Sequence, residues 1–347
     1  MKASQKSADH HFLFYGKYKY ISILVVIFFF FHGHLAGQKH SFTEEKMGSP
    51  FTITLDIEDI SGISIIVKNS FNLVDSMNNI FSDYNVNSEL SRINSSPSGS
   101  WLDISSEVTY LLYQGQKACK MSGGKFDITL GKLTKAWRKA KKTGIEIGKD
   151  TIKYYKQNSG CKQYTLNIAE KKLWKNNSVF HFDVGGIAKG YIAEKVSKNL
   201  KENGFPRHLI DAGGDLVAGD APTNAEGWRI AVELPQSDIM MAKSLLVQNQ
   251  AVATSGSTYQ YYNHGSKRHS HIIDPAKGEG ISKTDNVTII SPSGADADWL
   301  ATACSILSFK KSKKLIGLVP HSTMMRTFIR EGKIMTMMAG KKVKFTD

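Results

Sequence analysis

Six strand-like runs dominate the chain from residue 179 onward: VFHFDV (179–184), RHLIDAGG (207–214), WRIAVELP (228–235), HSHIIDP (269–275), NVTIIS (286–291) and TMMRTFI (323–329). Only two strong helical patterns fall among them, at about 189–203 and 295–308. A doubly wound parallel sheet needs a helical crossover between successive strands, and this spacing cannot supply one each time. The chain is therefore read as α+β, with mainly antiparallel sheets and packed helices. Upstream, MGSPFTITLDI (47–57) alternates Phe51, Ile53, Leu55 and Ile57 against polar neighbours, the period of a half-buried strand. Residues 62–90 read as mixed and helical. Val108, Leu111, Leu112, Gly115, Ala118 and Cys119 recur at helical spacing, with Ser105 or Ser106 as N-cap and Gly123-Gly124 as the stop. Residues 138–177 are rich in lysine and asparagine, show weak periodicity and suggest no chemistry.

The N-terminus stands apart. Lysines 2, 6, 17 and 19 precede ISILVVIFFFF (21–31), an apolar run about half the roughly 20 residues that a membrane-spanning helix needs. Residues 1–38 are read as a secretory signal, with an uncleaved N-terminal anchor as the alternative. LAGQ (35–38) has glutamine where a lipoprotein signal carries cysteine, so no lipid anchor is expected. Either reading predicts an exported, periplasmic protein.

The net charge of +14 raises the question of nucleic acid, but no basic-aromatic RNA motif or helix-turn-helix pattern accompanies it. Stretches such as KLTKAWRKAKK (132–142) read as a solvated basic surface, able at most to attract an anionic ligand or membrane. Cysteines 119, 161 and 304 form no C-x-x-C pair; Cys119 and Cys304 sit in apolar helical patterns and read as core, so neither a zinc site nor a thiol nucleophile is expected.

Four stretches carry more glycine and short polar residues than a core requires: GGKFDITLGKL (123–133), FDVGGIAKG (182–190), IDAGGDLVAG (210–219) and ATSGSTYQYY (253–262). DVGGIAKG fits neither the P-loop nor the dinucleotide fingerprint. Its paired glycines, the following helix and Lys189 suit an anion, although a tight strand-to-helix turn uses glycine for steric reasons alone. In ADADWLATACSIL (295–307), Asp298 and Thr302 share one helix face. A carboxylate and a hydroxyl there can hold Mg2+, or the acidic residues can simply complement the helix dipole. His271 could be a general base or a structural histidine.

Taken in order, MGSPFTITL, YNVNSELSRIN, GGKFDITLGKLTKAW, FDVGGIAKGYIAEKV, IDAGGDLVAG, AVATSG, HIIDPAKG and ADADWLATA resemble the FAD:protein FMN transferases, the ApbE flavin transferase family, over residues 47–307. The resemblance implies a T-fold-like catalytic domain over 39–347 made of two related α+β halves. It implies Mg2+-dependent transfer of FMN from FAD to a threonine of a membrane redox-complex subunit, with release of AMP, at the membrane periphery. It places Met47, Tyr84, Lys125, Phe126, Asp127, Asp183, Lys189, His271 and Ile272 against FAD. It assigns the metal to Asp298, Thr302 and the carbonyl of Gly186, and makes His271 the candidate base. Lys132 and Trp299 depart from the family's usual residues, proline and a small side chain. A Mg2+-dependent FAD pyrophosphatase and a non-catalytic flavin-delivery protein are the competing readings.

Overall fold

The computed structural model describes residues 37–346 except 236–240, 242, 257–260 and 265–266; the predicted signal lies outside the described residues up to position 36. Its centre is one eight-stranded sheet whose strands follow chain order: β1 (Gln38–Lys46), β2 (Ser49–Ile57), β3 (His208–Ala212), β4 (Asp215–Ala218), β5 (Gln250–Ser255), β6 (Asn286–Ser291), β7 (Thr323–Arg330) and β8 (Lys333–Gly340). Every neighbouring pair is antiparallel. The sheet is open, with β1 and β8 at its ends.

Helices enter this meander at two places. Between β2 and β3 come α1 (Ile63–Phe81), α2 (Glu89–Ser95), α3 (Ser106–Met121), α4 (Gly131–Thr143), α5 (Lys149–Gln157) and α6 (Gly185–Glu202). Between β6 and β7 come α7 (Gly294–Ile306) and α8 (Phe309–Ile316). Each half is thus two strands, a helical insertion and two strands, which is the paired α+β architecture expected from the sequence. Smaller sheets of two or three strands decorate it.

The period-two pattern in β2 buries Phe51, Ile53 and Leu55 completely. Each such side chain contributes about 1.5–3 kcal/mol against leaving it in water. These side chains belong to the main core with Val67, Phe71 and Val74 of α1 and Ile187, Ile192 and Val196 of α6. Ser105 caps α3 as expected, accepting from the Val108 N–H, and Gly123 and Gly124 end it with φ of 63° and 77°.

Three sequence readings need correction. VFHFDV forms no strand: it has an isolated bridge from His181 to Leu130, and the Asp183 N–H donates to the Ile128 carbonyl (2.7 Å). Asn94 pairs with Phe182 as a neighbouring strand would, donating to its carbonyl (2.9 Å) and accepting from its N–H (2.6 Å). The 138–177 stretch holds α5 and a hairpin of Tyr164–Asn167 with Lys172–Lys175, where Lys175 is as fully buried as Leu173, so an apolar pattern does not report the burial. Helix α6 starts at Gly185, ahead of the expected start near Lys189, with a break at Gly186 after its first residues; just before it, Asp183 accepts from the Gly185 N–H (3.0 Å).

Helices α6 and α7 meet backbone to backbone. A Cβ added at Gly190 would lie 2.1 Å from the Gly294 carbonyl oxygen, and one at Gly294 would lie 2.2 Å from that of Gly190. Helix α7 is buried on nearly every side, with only Asp296 and Thr302 partly exposed. Glu194 of α6 caps it, accepting from Ser293 Oγ (2.9 Å) and the Gly294 N–H (2.8 Å). At its far end Lys283 donates to the Ile306 and Leu307 carbonyls (2.8 and 2.9 Å), where a cation complements the helix dipole. Cys119 and Cys304 are core residues as read, and burial pushes the Cys304 thiol up to about 11.

Gly190→Ala is expected to cost at least the 1–3 kcal/mol typical of overpacking, roughly, because the obstacle is backbone. Gly317→Ala, whose Cβ would make ordinary contacts at 3.4 and 3.7 Å, should stay within about 0.5 kcal/mol. Urea unfolding of both variants checks this. A second test concerns His208, which is fully buried with Nδ1 2.7 Å from the Phe205 carbonyl and Nε2 2.7 Å from Ser197 Oγ. Burial pushes its pKa down to about 4 from 6.5. The unfolded chain therefore takes up a proton below pH 6.5 that the folded chain refuses until about pH 4, so stability falls with pH across that window. Denaturation at pH 7, 5.5 and 4.5 should show a loss of up to about 3 kcal/mol from this group, absent in His208→Gln.

Candidate active site

The α6–α7 crossing fixes the centre of the site. A Cβ at Gly186 would stand 3.2 Å from Thr302 Oγ1 and 3.2 Å from the Phe126 ring, so these three candidate residues are neighbours. One turn along, Asp298 Oδ2 accepts from the Gly190 N–H (3.2 Å). In an unbroken helix that N–H would serve the carbonyl of Gly186. Helix α6 is not regular there: Gly186 has φ −93° and ψ 18°. The glycine pair of DVGGIAKG thus has no positive φ, unlike Gly123-Gly124 and Gly213-Gly214. Space, not a left-handed turn, requires glycine at 186. The Asp298 carboxylate and the Thr302 hydroxyl thus both face the irregular first turns of α6.

Lys189 lies on the same turn, and its ammonium pairs with Asp215 Oδ2 of β4 at 2.5 Å. Burial alone would discharge Lys189, but Asp215 and Asp298 together hold its pKa above the usual lysine value. One ammonium cannot balance two carboxylates. Asp298 is left without a cation of its own, and burial followed by the charge of Asp215 pushes its pKa well above the usual range.

A second cluster surrounds the start of α6. Arg138 donates from Nη1 to Asp83 Oδ2 (2.6 Å) and from Nη2 to Asp183 Oδ2 (3.0 Å), and its guanidinium lies 4.5 Å from the Tyr84 ring centroid. On the other side, Lys125 Nζ pairs with Asp274 Oδ1 at 2.7 Å. That pair joins GGKFD to the small hairpin of Ile273–Asp274 with Glu279–Gly280, which Trp137 also braces through the Gly278 carbonyl (2.8 Å). Ile272 is buried beside this hairpin, while His271 is exposed. A recess of about 290 Å3 opens behind Lys125 and Asp127, bounded by Gly160 and Pro275.

Asp127 is engaged locally: Oδ1 accepts from the Thr129 N–H (2.9 Å) and hydroxyl (2.7 Å), which shapes the turn that carries Lys125 and Phe126. Met47, with φ 54°, forms the β1–β2 turn with Gly48. A Cβ at Gly213 would reach within 2.3 Å of Ser49 Oγ, so Met47 sits at the sheet end where the β3–β4 turn leads into Asp215.

Reading the sequence missed Asp215, Arg138, Asp83 and Asp274. Asp215 lies in a glycine-rich loop, and nothing in its spacing marks a role. Arg138 was assigned to a solvated basic surface, and only its two acidic partners, distant in sequence, mark it otherwise. Asp296 Oδ1 accepts from the Trp299 indole N–H (2.8 Å).

The profile of the ApbE family matches residues 47–325. The chain is 27% identical over 241 residues to the FAD:protein FMN transferase of Vibrio cholerae, covering 68% of this chain and 71% of that one. It is 25% identical over 301 residues to the FAD:protein FMN transferase of Chlamydia muridarum, covering 85% and 93%. Among solved structures, the apo flavinyl transferase ApbE of Pseudomonas stutzeri superposes with a TM-score of 0.76 at 24% identity over 87% of this chain and 95% of that one. The flavin transferase ApbE of Vibrio cholerae gives 0.77 at 20% identity over 87% and 97%. These two share the fold.

Asp215→Ala should destabilise the protein by about 3 kcal/mol, the lower end of the range for breaking a buried pair, because it removes the direct partner of Lys189 and leaves only the charge of Asp298 opposite it. The lower end applies because the Lys189 side chain keeps 34% exposure. Thermal or urea unfolding checks the value, and Lys189→Met with Asp215→Leu should recover part of the loss.

Proposed function

The chain belongs to the ApbE family, and on that premise we propose that it is an FAD:protein FMN transferase that moves FMN from FAD to a threonine hydroxyl of an acceptor protein and releases AMP. The observation that carries the proposal is the placement of the Asp298 carboxylate and the Thr302 hydroxyl against the α6 turns that hold Gly186 and Gly190. Their chemistry fits a hard cation such as Mg2+, which takes carboxylate, hydroxyl and carbonyl oxygens and fills its remaining positions with water and phosphate. The Gly190 N–H, turned toward Asp298, favours the same arrangement. When bound there, such a cation neutralises charge developing on the pyrophosphate oxygens.

The protein's own residues then have separable tasks. Asp298 and Thr302 hold the cation with the Gly186 carbonyl. Lys189, kept charged by Asp215, adds positive potential at the phosphates. Lys125, Phe126, Asp127, Asp183, Tyr84, Met47 and Ile272 shape the nucleotide site. His271 takes the proton from the threonine hydroxyl as that oxygen attacks the FMN-side phosphorus. The bond to the bridging oxygen breaks, AMP leaves with that oxygen, and a threonine–FMN phosphoester forms. General-base help of this kind is worth about 10²–10⁴ in rate. The basic, apolar 1–38 segment supports action outside the cytoplasm at the membrane periphery, on a subunit of a membrane redox complex.

Incubation with FAD, Mg2+ and a threonine-bearing acceptor should give an acceptor whose flavin fluorescence survives denaturing electrophoresis, with one AMP per flavin attached. EDTA or Asp298→Ala should abolish both signals, and His271→Ala should slow transfer by about 10²–10⁴. FMN found only free in solution would identify a pyrophosphatase instead.

A further inference from the structure

Arg138 is an ion-pairing and stacking centre that the proposed chemistry does not use. It projects from α4, a helix otherwise rich in solvent-facing lysine, and its side chain is 35% exposed. Its two acidic partners are better hidden, at 8% for Asp83 and 14% for Asp183. Burial and the neighbouring Asp183 push the Asp83 carboxyl up, and Arg138 opposes this. The guanidinium therefore joins the loop after α1, α4 and the turn before α6, which are distant in sequence.

Two consequences meet at the site. Asp183 gives Oδ2 to Arg138 and Oδ1 to the Gly185 N–H, so Arg138 fixes the carboxylate just before α6. Tyr84 is 75% exposed although its ring lies on the guanidinium. An aromatic ring supported from one side by a planar cation and open on the other is a stacking platform for a flat ring. Lysine could replace the charge but neither the fork that reaches both acids nor the planar stacking surface.

We propose that Arg138 is a positioning residue for the flavin: its guanidinium, oriented by Asp83 and Asp183, holds Tyr84 so that the outer face of that ring takes the isoalloxazine ring. This rests on the flavin-transferase reading above.

The test measures binding of FAD, FMN and AMP to the full-length protein, by flavin fluorescence for the first two and by calorimetry for AMP. In Arg138→Lys the dissociation constants of FAD and FMN should rise about tenfold or more, with AMP unchanged, since only the flavin ring stacks. Tyr84→Ala removes an exposed side chain, so its folding is not in question, and it should weaken the same two ligands. The double variant should be no weaker than Tyr84→Ala, because Arg138 acts on the flavin through Tyr84. A purely structural role predicts instead that the two losses add, or that AMP weakens equally; either result overturns the inference. Wild-type affinity for FAD in Arg138→Lys also overturns it while leaving the transferase reading intact. Absence of FAD and FMN binding by the unaltered protein would remove both.

Discussion

The contact between Gly190 and Gly294 is the constraint on which the rest of the site depends. With no Cβ on either side, α6 and α7 approach until each backbone carbonyl occupies the space a side chain would need. That approach turns the Gly190 N–H to Asp298 and brings the irregular first turn of α6 against Thr302. Helix α7 becomes almost wholly buried as a result, and its ends must be satisfied from within the protein. Glu194 caps one end, and Lys283 with Arg326 accepts the burden of the carbonyls at the other. Asp298 and Thr302 are held by rigid packing rather than by a loop, which is the condition for a preorganised site.

Two cations near the crossing each stand between two acids. Lys189 faces Asp215 and Asp298, and Arg138 faces Asp83 and Asp183. The first arrangement leaves Asp298 without a cation of its own, so burial and Asp215 raise its pKa, and a metal cation is proposed to bind there. The second leaves an aromatic ring propped outward at the other side of the α6 turn. Lys125 and Asp274, joined across the chain, close the third side. Charge balance thus links three segments that have no covalent proximity.

The legible parts of the fold were those whose periodicity reports burial directly. Phe51, Ile53 and Leu55 alternate and form a strand; Val108, Leu111, Leu112 and Cys119 recur at helical spacing and form α3. VFHFDV misled because burial of Phe180, Phe182 and Val184 produces the same alternation whether the backbone pairs with a strand or with a side chain such as Asn94. The start of α6 was misplaced because glycine has weak helix propensity, and the carboxylate of Asp183 that accepts from the Gly185 N–H acts through a contact periodicity does not encode. In the site, Asp298 and Thr302 were visible because four residues on a helix is one turn. Asp215 and Arg138 were not, because their roles come from partners dozens of residues away.

By itself the sequence determined the antiparallel α+β class, since the order of strand and helix patterns excludes regular crossovers, and it determined family membership, since the ordered motifs run through most of the chain. Only the tertiary structure decided why DVGGIAKG needs its glycines and what Lys189 faces. Those depend on how closely two helices can approach and on which acids share one cation, quantities set by three-dimensional packing and not by spacing along the chain.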